Sequence, residues 1–241
     1  MTNVQEPTEA PLIRTWRNAP TRTLNAGDVE FVYRQLGPST GMPVVLLTHL
    51  AAVLDNWDPR VVDGIAAKHP VIAFDNRGVG ASSGSTPTTI EEMARDAVTF
   101  IRALGFDRVD LFGFSMGGMI AQLIAREEPQ LVRKMIIAGT GPAGGEGIDG
   151  VTRISYLDTA RALLTRHDPK QFLFFTRTSN GRRAGKEFLT RLEERTDDRD
   201  KAISILDRRL PNSQLVLYPD AGHGGVFQFH QDFVKRSLEF L

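Results

Sequence analysis

Apolar residues along this chain gather into short unbroken runs, separated by longer stretches in which they recur at helical spacing. Pro43-Val44-Val45-Leu46-Leu47-Thr48 and Val71-Ile72-Ala73-Phe74 show no polar alternation, which is the pattern of strands buried on both faces. Val29-Glu30-Phe31-Val32-Tyr33 precedes them, and Val109 to Phe112, Lys134 to Ala138 and Gln214 to Tyr218 come after. Between these runs, Trp57 to His69 places Val61, Ile65 and Ala66 on one helical stripe. A second helix opens at the capping box Thr89-Ile90-Glu91-Glu92, aligns Ile90, Met93, Ala94, Ala97, Val98 and Ile101, and closes at Gly105. A third stops before Pro129, and a last one packs by Phe229, Phe233 and Phe240 with Val234, Leu238 and Leu241. Strands alternating with helices predict an α/β fold: a mainly parallel central sheet covered by helices on both faces, with functional loops at the carboxyl ends of its strands.

The alternation breaks after the fifth core strand, at the glycine-rich stretch Gly139 to Gly147. The chain from there to about Asp200 is helical, arginine-rich and interrupted by Phe172-Leu173-Phe174-Phe175, and it reads as a helical cap over the strand ends. Its aromatic patch is either an apolar wall for a site or the cap's own core. The expected organisation is an N-terminal arm over residues 1–20, core over 21–140, cap over 141–200 and the remainder of the core over 201–241. Pro7, Pro11 and Pro20 forbid a continuous helix in the arm, which is expected to lie on the surface.

With 241 residues, 41% hydrophobic and 24% charged, the chain suits one globular domain. Its 29 basic residues balance its 29 acidic ones, so no global field recruits nucleic acid or an anionic membrane, and a small-molecule substrate is the expected partner. The absence of cysteine removes disulfides, thiolate metal sites and a thiol nucleophile. His49, His69, His167 and His230 show no metal-ligand spacing, and neither a metal nor a cofactor is expected. Met1 to Ala10 has no basic start and no apolar stretch, and no membrane-length apolar run appears, so a cytoplasmic location is expected.

The chemistry concentrates at Gly113-Phe114-Ser115-Met116-Gly117-Gly118, which joins the apolar run ending at Phe112 to the helical run beginning at Met119. A serine between glycines at a strand-to-helix turn is a nucleophile elbow: the turn lifts the hydroxyl above the sheet, and the helix behind directs backbone N–H groups at any oxyanion formed there. His223 lies in Asp220-Ala221-Gly222-His223-Gly224-Gly225, a loop between the last strand and the last helix, as a base reaching Ser115 from the same sheet edge requires. The flanking glycines are expected to let this loop turn tightly. Neither Gly113 to Gly118 nor Gly78-Val79-Gly80-Ala81-Ser82-Ser83-Gly84 has dinucleotide-binding spacing.

These segments, together with Phe74-Asp75-Asn76-Arg77-Gly78-Val79-Gly80-Ala81-Ser82, resemble the α/β-hydrolase superfamily from about residue 21 to the end, and are similar to its small esterases and cofactor-free haloperoxidases. A serine at the elbow argues against the branches that use an aspartate nucleophile. The resemblance implies Ser115 and His223 as catalytic residues and an oxyanion hole made by the N–H of Met116 and one from the loop after Pro43 to Thr48. There the chain departs from the His-Gly-x pattern: Thr48 stands on the histidine, His49 on the glycine and Leu50 on the donor. A backbone donor does not depend on its side chain, so Leu50 remains the second donor, with His49 as a polar wall. Asp75 and Arg77 are expected to hold the turn after their strand.

The resemblance also implies an acid after a strand between cap and histidine loop, and that strand is not evident. Asp198 comes after a stretch with helical spacing, and Asp207 leaves too little chain before Gln214 for a parallel crossover. Without an acid the imidazole loses the group that fixes its tautomer, and the rate falls by up to about 10⁴-fold. An uncovered sheet edge would favour a homodimer or lower stability. The expected function is hydrolysis of small carboxylic esters by a serine hydrolase, with two alternatives: perhydrolysis by the same serine, or a ligand-binding protein of this fold with weakened catalysis.

Overall fold

The structure, a computed structural model, describes residues 14–50, 52–141, 161–162, 164–195 and 222–241. Six strands form one sheet among the described residues: β1 (Thr21–Ala26), β2 (Val29–Leu36), β3 (Val44–Leu47), β4 (Val71–Phe74), β5 (Val109–Phe114) and β6 (Val132–Ala138). Their order is β1-β2-β4-β3-β5-β6. The β4, β3, β5 and β6 strands run parallel, whereas β2 is antiparallel to both β1 and β4. The expected mainly parallel sheet is therefore present, with an antiparallel hairpin at one edge.

The apolar runs divide between the two faces by the period-2 geometry of a strand. Val44 and Leu46 join Ala73, Phe112 and Phe114 in one core, while Val45 and Leu47 join Ile72, Phe74, Val109 and Leu111 in the other. Helices α1 (Pro59–Ala66) and α7 (His230–Phe240) cover the first face, and α2 (Ile90–Ala103) and α3 (Met116–Glu127) cover the second. Each helix begins where its chemistry dictates. Asp58 caps α1 by accepting from Arg60 N–H with Pro59 in the first turn, and the Thr89 hydroxyl accepts the Glu92 N–H at 3.2 Å.

Two expectations need correction, and one strand was not anticipated. Strand β1 did not stand out because its side chains are largely polar and exposed, as befits an edge strand. The described end of the N-terminal arm does not lie on the surface: Trp16 and Ala19 are buried in the first core, and the Trp16 N–H donates to Asp63 at 2.6 Å. Phe240 does not pack inward. It is 40% exposed and lies against the Lys134 ammonium, whereas the buried face of α7 consists of Phe233 and Ser237. The expected tight turn at the histidine loop is present, the Gly225 N–H donating to the Gly222 carbonyl at 3.0 Å, and it needs no left-handed backbone at Gly224, whose φ is −87°.

After β6 the described chain continues in α4 (Pro169–Leu173) and α5 (Ser179–Leu192), the described part of the expected cap, and then in the short helix α6 (Gly225–Gln228). Two arginines fasten the cap to the core. Arg191 donates twice to the fully buried Asp58 carboxylate, at 2.9 and 2.6 Å, and Arg195 donates to the carbonyls of Arg17 and Ala19. The strand expected at Gln214–Tyr218 and the candidate acids Asp198 and Asp207 lie outside the described residues.

Candidate active site

Ser115 occupies the turn between β5 and α3 with φ of 55° and ψ of −115°, a left-handed backbone that L residues adopt only under constraint. The constraint is visible. The Ser115 N–H donates to the Ala138 carbonyl at 2.8 Å, pinning the turn to the end of β6, while the Ser115 carbonyl accepts from Gly118 N–H at 3.0 Å to start the helix. A Cβ on Gly117 would overlap the Leu47 carbonyl oxygen, so glycine there is a steric requirement for packing α3 against the end of β3. The side chain of Ser115 is half-buried, and the positive end of α3 lies beneath it.

His223 lies at the same edge. Its ring centroid is 5.2 Å from that of Phe114, the residue before Ser115, and its Cε1 is 3.2 Å from a Cβ built on Gly139, the residue after Ala138. The imidazole therefore lies over the ends of β5 and β6, where the elbow is formed. No hydrogen bond joins the Ser115 hydroxyl to the ring among the described residues. Burial pushes the His223 imidazole down from 6.5 to about 4, which keeps it neutral near pH 7 with a lone pair available.

Leu50 and Met116 flank the elbow from two sides. Met116 is the first residue of α3 and is buried, whereas Leu50, in the loop after β3, is 37% exposed. The register pairing Leu47 with Gly113 brings that loop alongside β5. His49 is buried next to Leu50. Its Nδ1 lies 2.8 Å from the Leu50 carbonyl, its ring meets Phe114 and Phe174 edge-on at 5.5 and 4.9 Å, and its Nε2 is buried without a hydrogen-bond partner. Burial pushes this ring down to about 3, opposed by the Leu50 carbonyl and assisted by the charges of Lys170 and His223. It is a neutral ring buried between two aromatic ones.

Phe174, from the aromatic patch, packs against cap and core alike. It is buried, and its ring touches His49, Phe114, His223, Phe227 and Phe188, so it joins cap to core beside the elbow. Phe172 instead packs on His167 and Arg161 within the cap. Asp75 and Arg77 lie in the scaffold: Asp75 accepts the Leu54 N–H at 2.8 Å and Arg77 pairs with Asp96 on α2. Sequence reasoning missed Arg191 and Asp58, although Asp58-Pro59 carries a helix-start signature; nothing local marks its distant partner. Among the described residues no cluster of three metal-ligating side chains occurs, and no helix is long and apolar enough to cross a membrane.

The alpha/beta hydrolase fold family matches residues 42–182, more than half of the chain. The chain belongs to the α/β-hydrolase family. A solved structure of an alpha/beta hydrolase fold protein from Chitinophaga pinensis is 32% identical, with a TM-score of 0.84 over 94% of this chain and 98% of that one. A protein of Azorhizobium caulinodans provisionally named carbamate hydrolase RutD is 30% identical over 58% of this chain and 51% of its own length. The 3-oxoadipate enol-lactonase 2 of Acinetobacter baylyi is 30% identical over 52% of this chain and 46% of its own length. The chain thus spans about half the length of the curated relatives it matches. Within the α/β-hydrolase fold, the elbow, the histidine loop and the loop after β3 occupy one edge of the sheet.

Proposed function

We propose that this α/β-hydrolase acts on small carboxylic esters by nucleophilic acyl transfer, with Ser115 as nucleophile and His223 as base. The observation that carries the reading is the left-handed Ser115 at the end of β5 with the His223 ring packed on its chain neighbour Phe114. His223 takes the hydroxyl proton as Ser115 Oγ attacks the ester carbonyl, and the resulting oxyanion is held by the N–H groups of Leu50 and Met116, assisted by the positive end of α3. The imidazolium returns its proton to the leaving alkoxide. Water, deprotonated by His223, then releases the acid and restores the serine. The exposed Leu50, beside the elbow, offers apolar surface suited to a short acyl or alcohol group.

The relatives named for carbamate and enol-lactone substrates support the reaction class, since both substrates carry an acyl carbon bonded to a heteroatom leaving group. Covalent labelling by a fluorophosphonate, located at Ser115 by peptide mapping, is the expected outcome. Undiminished ester turnover in Ser115→Ala would defeat the proposal. The choice of acyl acceptor is tested by adding hydrogen peroxide: peroxyacid formation at the expense of acid would place the protein with perhydrolases.

A further inference from the structure

The residue that most directly meets the histidine loop belongs to the cap. Gly224 N–H donates to the Phe174 carbonyl at 2.7 Å. A Cβ on Gly222 would stand 2.5 Å from that same oxygen, and one on Gly224 would stand 2.6 Å from Phe174 Cβ. Glycine is therefore needed on both sides of His223 for close approach to Phe174. The Phe174 ring then lies 5.7 Å from the imidazole and 5.6 Å from Phe114, completing a three-ring cluster of which the third contact, Phe114 to His223, is 5.2 Å.

Phe174 is itself held firmly. It ends α4 with its N–H on the Lys170 carbonyl, its neighbour Phe175 packs on Phe188 of α5, and α5 is tied to the core by Arg191 and Asp58. We propose that Phe174 is the positioning residue of His223: its carbonyl holds the histidine loop and its ring sets the plane of the imidazole, so that the docked cap aligns the base over the elbow. The catalytic consequence rests on the Ser115–His223 reading above, whereas the placement of the ring does not.

The burial that lowers the His223 titration has Phe174 as a principal wall, and the titratable groups around this cluster are His49 from the loop after β3 and Lys170 from α4. The test is proton NMR titration of the histidine Cε1–H signals in the full chain, with ester kinetics in parallel, for Phe174→Ala, Phe174→Leu and Gly224→Ala. In the unaltered protein His223 is expected to titrate near 4. Phe174→Ala is expected to move this midpoint upward toward 6.5 and to lower kcat by about 10²-fold with KM changed much less, the signature of a misplaced base. Phe174→Leu, which keeps apolar bulk and the backbone bond, is expected to recover part of both. Gly224→Ala, which displaces the loop but keeps the ring, is expected to lower kcat likewise and decides the matter if Phe174→Ala does not fold. Folded variants that keep the original His223 midpoint and kcat would overturn the proposal. Should Ser115→Ala retain full turnover, the acyl-transfer reading fails, but the NMR midpoint still tests whether Phe174 places the ring.

Discussion

The elbow and the histidine loop lie at one edge of the same sheet, yet they are built in opposite ways. Everything that shapes Ser115 is local or regular: the strand before it, the helix after it, a register-paired carbonyl at Ala138, and Gly117 against the end of β3. His223 is placed by packing with a distant part of the chain, through Phe174 of the cap, and the cap in turn depends on a buried ion pair with α1. The turn of the proposed nucleophile is thus held by regular strand and helix contacts, whereas the proposed base is placed by packing between distant segments.

The most severe way to break this comparison acts on its chemical product. Ser115→Ala is expected to lower kcat/KM for a short-chain aryl ester by at least about 10³-fold, read by steady-state kinetics, with folding intact because the small side chain tolerates the turn no worse than serine. Next is the anchor of the histidine side. Arg191→Met leaves the Asp58 carboxylate buried without its bidentate partner, and a loss of about 3–5 kcal/mol is expected in urea unfolding. Faster amide exchange in α5 with little change in β5 would show that the cap loosens independently of the elbow.

Gly117→Ala strikes the elbow instead. Its Cβ meets backbone of β3, which has no flexible end to yield, and a destabilisation of about 3 kcal/mol is expected by thermal unfolding, with fluorophosphonate labelling of Ser115 slowed in whatever folds. A last test sharpens the histidine side through pH. His49 and His223 have native values of about 3 and about 4, below the 6.5 of an unfolded histidine, so between pH 6.5 and 4 the unfolded chain binds more protons. Their contribution is fully present above 6.5 and is lost as pH falls toward the native values, at up to about 1.4 kcal/mol per pH unit for each ring. Urea unfolding at several pH values should show this slope, and His49→Leu should remove its share; an unchanged slope would mean His49 is not buried neutral.

Much of the core was legible because its determinants repeat locally. Uninterrupted apolar runs marked β3, β4 and β5, and Thr89 with Glu92 marked the start of α2, where cap and helical period agree. β1 escaped because an edge strand presents polar side chains to water, and Phe240 was misplaced because it falls at the margin of the helical stripe, where Val234 and Leu241 pack on the core instead. The glycines beside His223 were expected to serve a tight turn, and the Gly225 N–H closes one on the Gly222 carbonyl at 3.0 Å. The second demand on them, close approach to Phe174, carries no local signal and only the folded cap reveals it.

What the sequence determined by itself was the layered α/β architecture and the serine turn, since both arise from hydrogen bonds and side-chain periodicity within single segments or between regular strands. Tertiary structure alone decided that Trp16 is core, that Asp58 receives Arg191, and that a cap phenylalanine meets His223. Those contacts join residues far apart along the chain, and side-chain packing carries no periodic mark in either partner: each is chosen by the shape and charge of a surface that exists only once the other has folded against it.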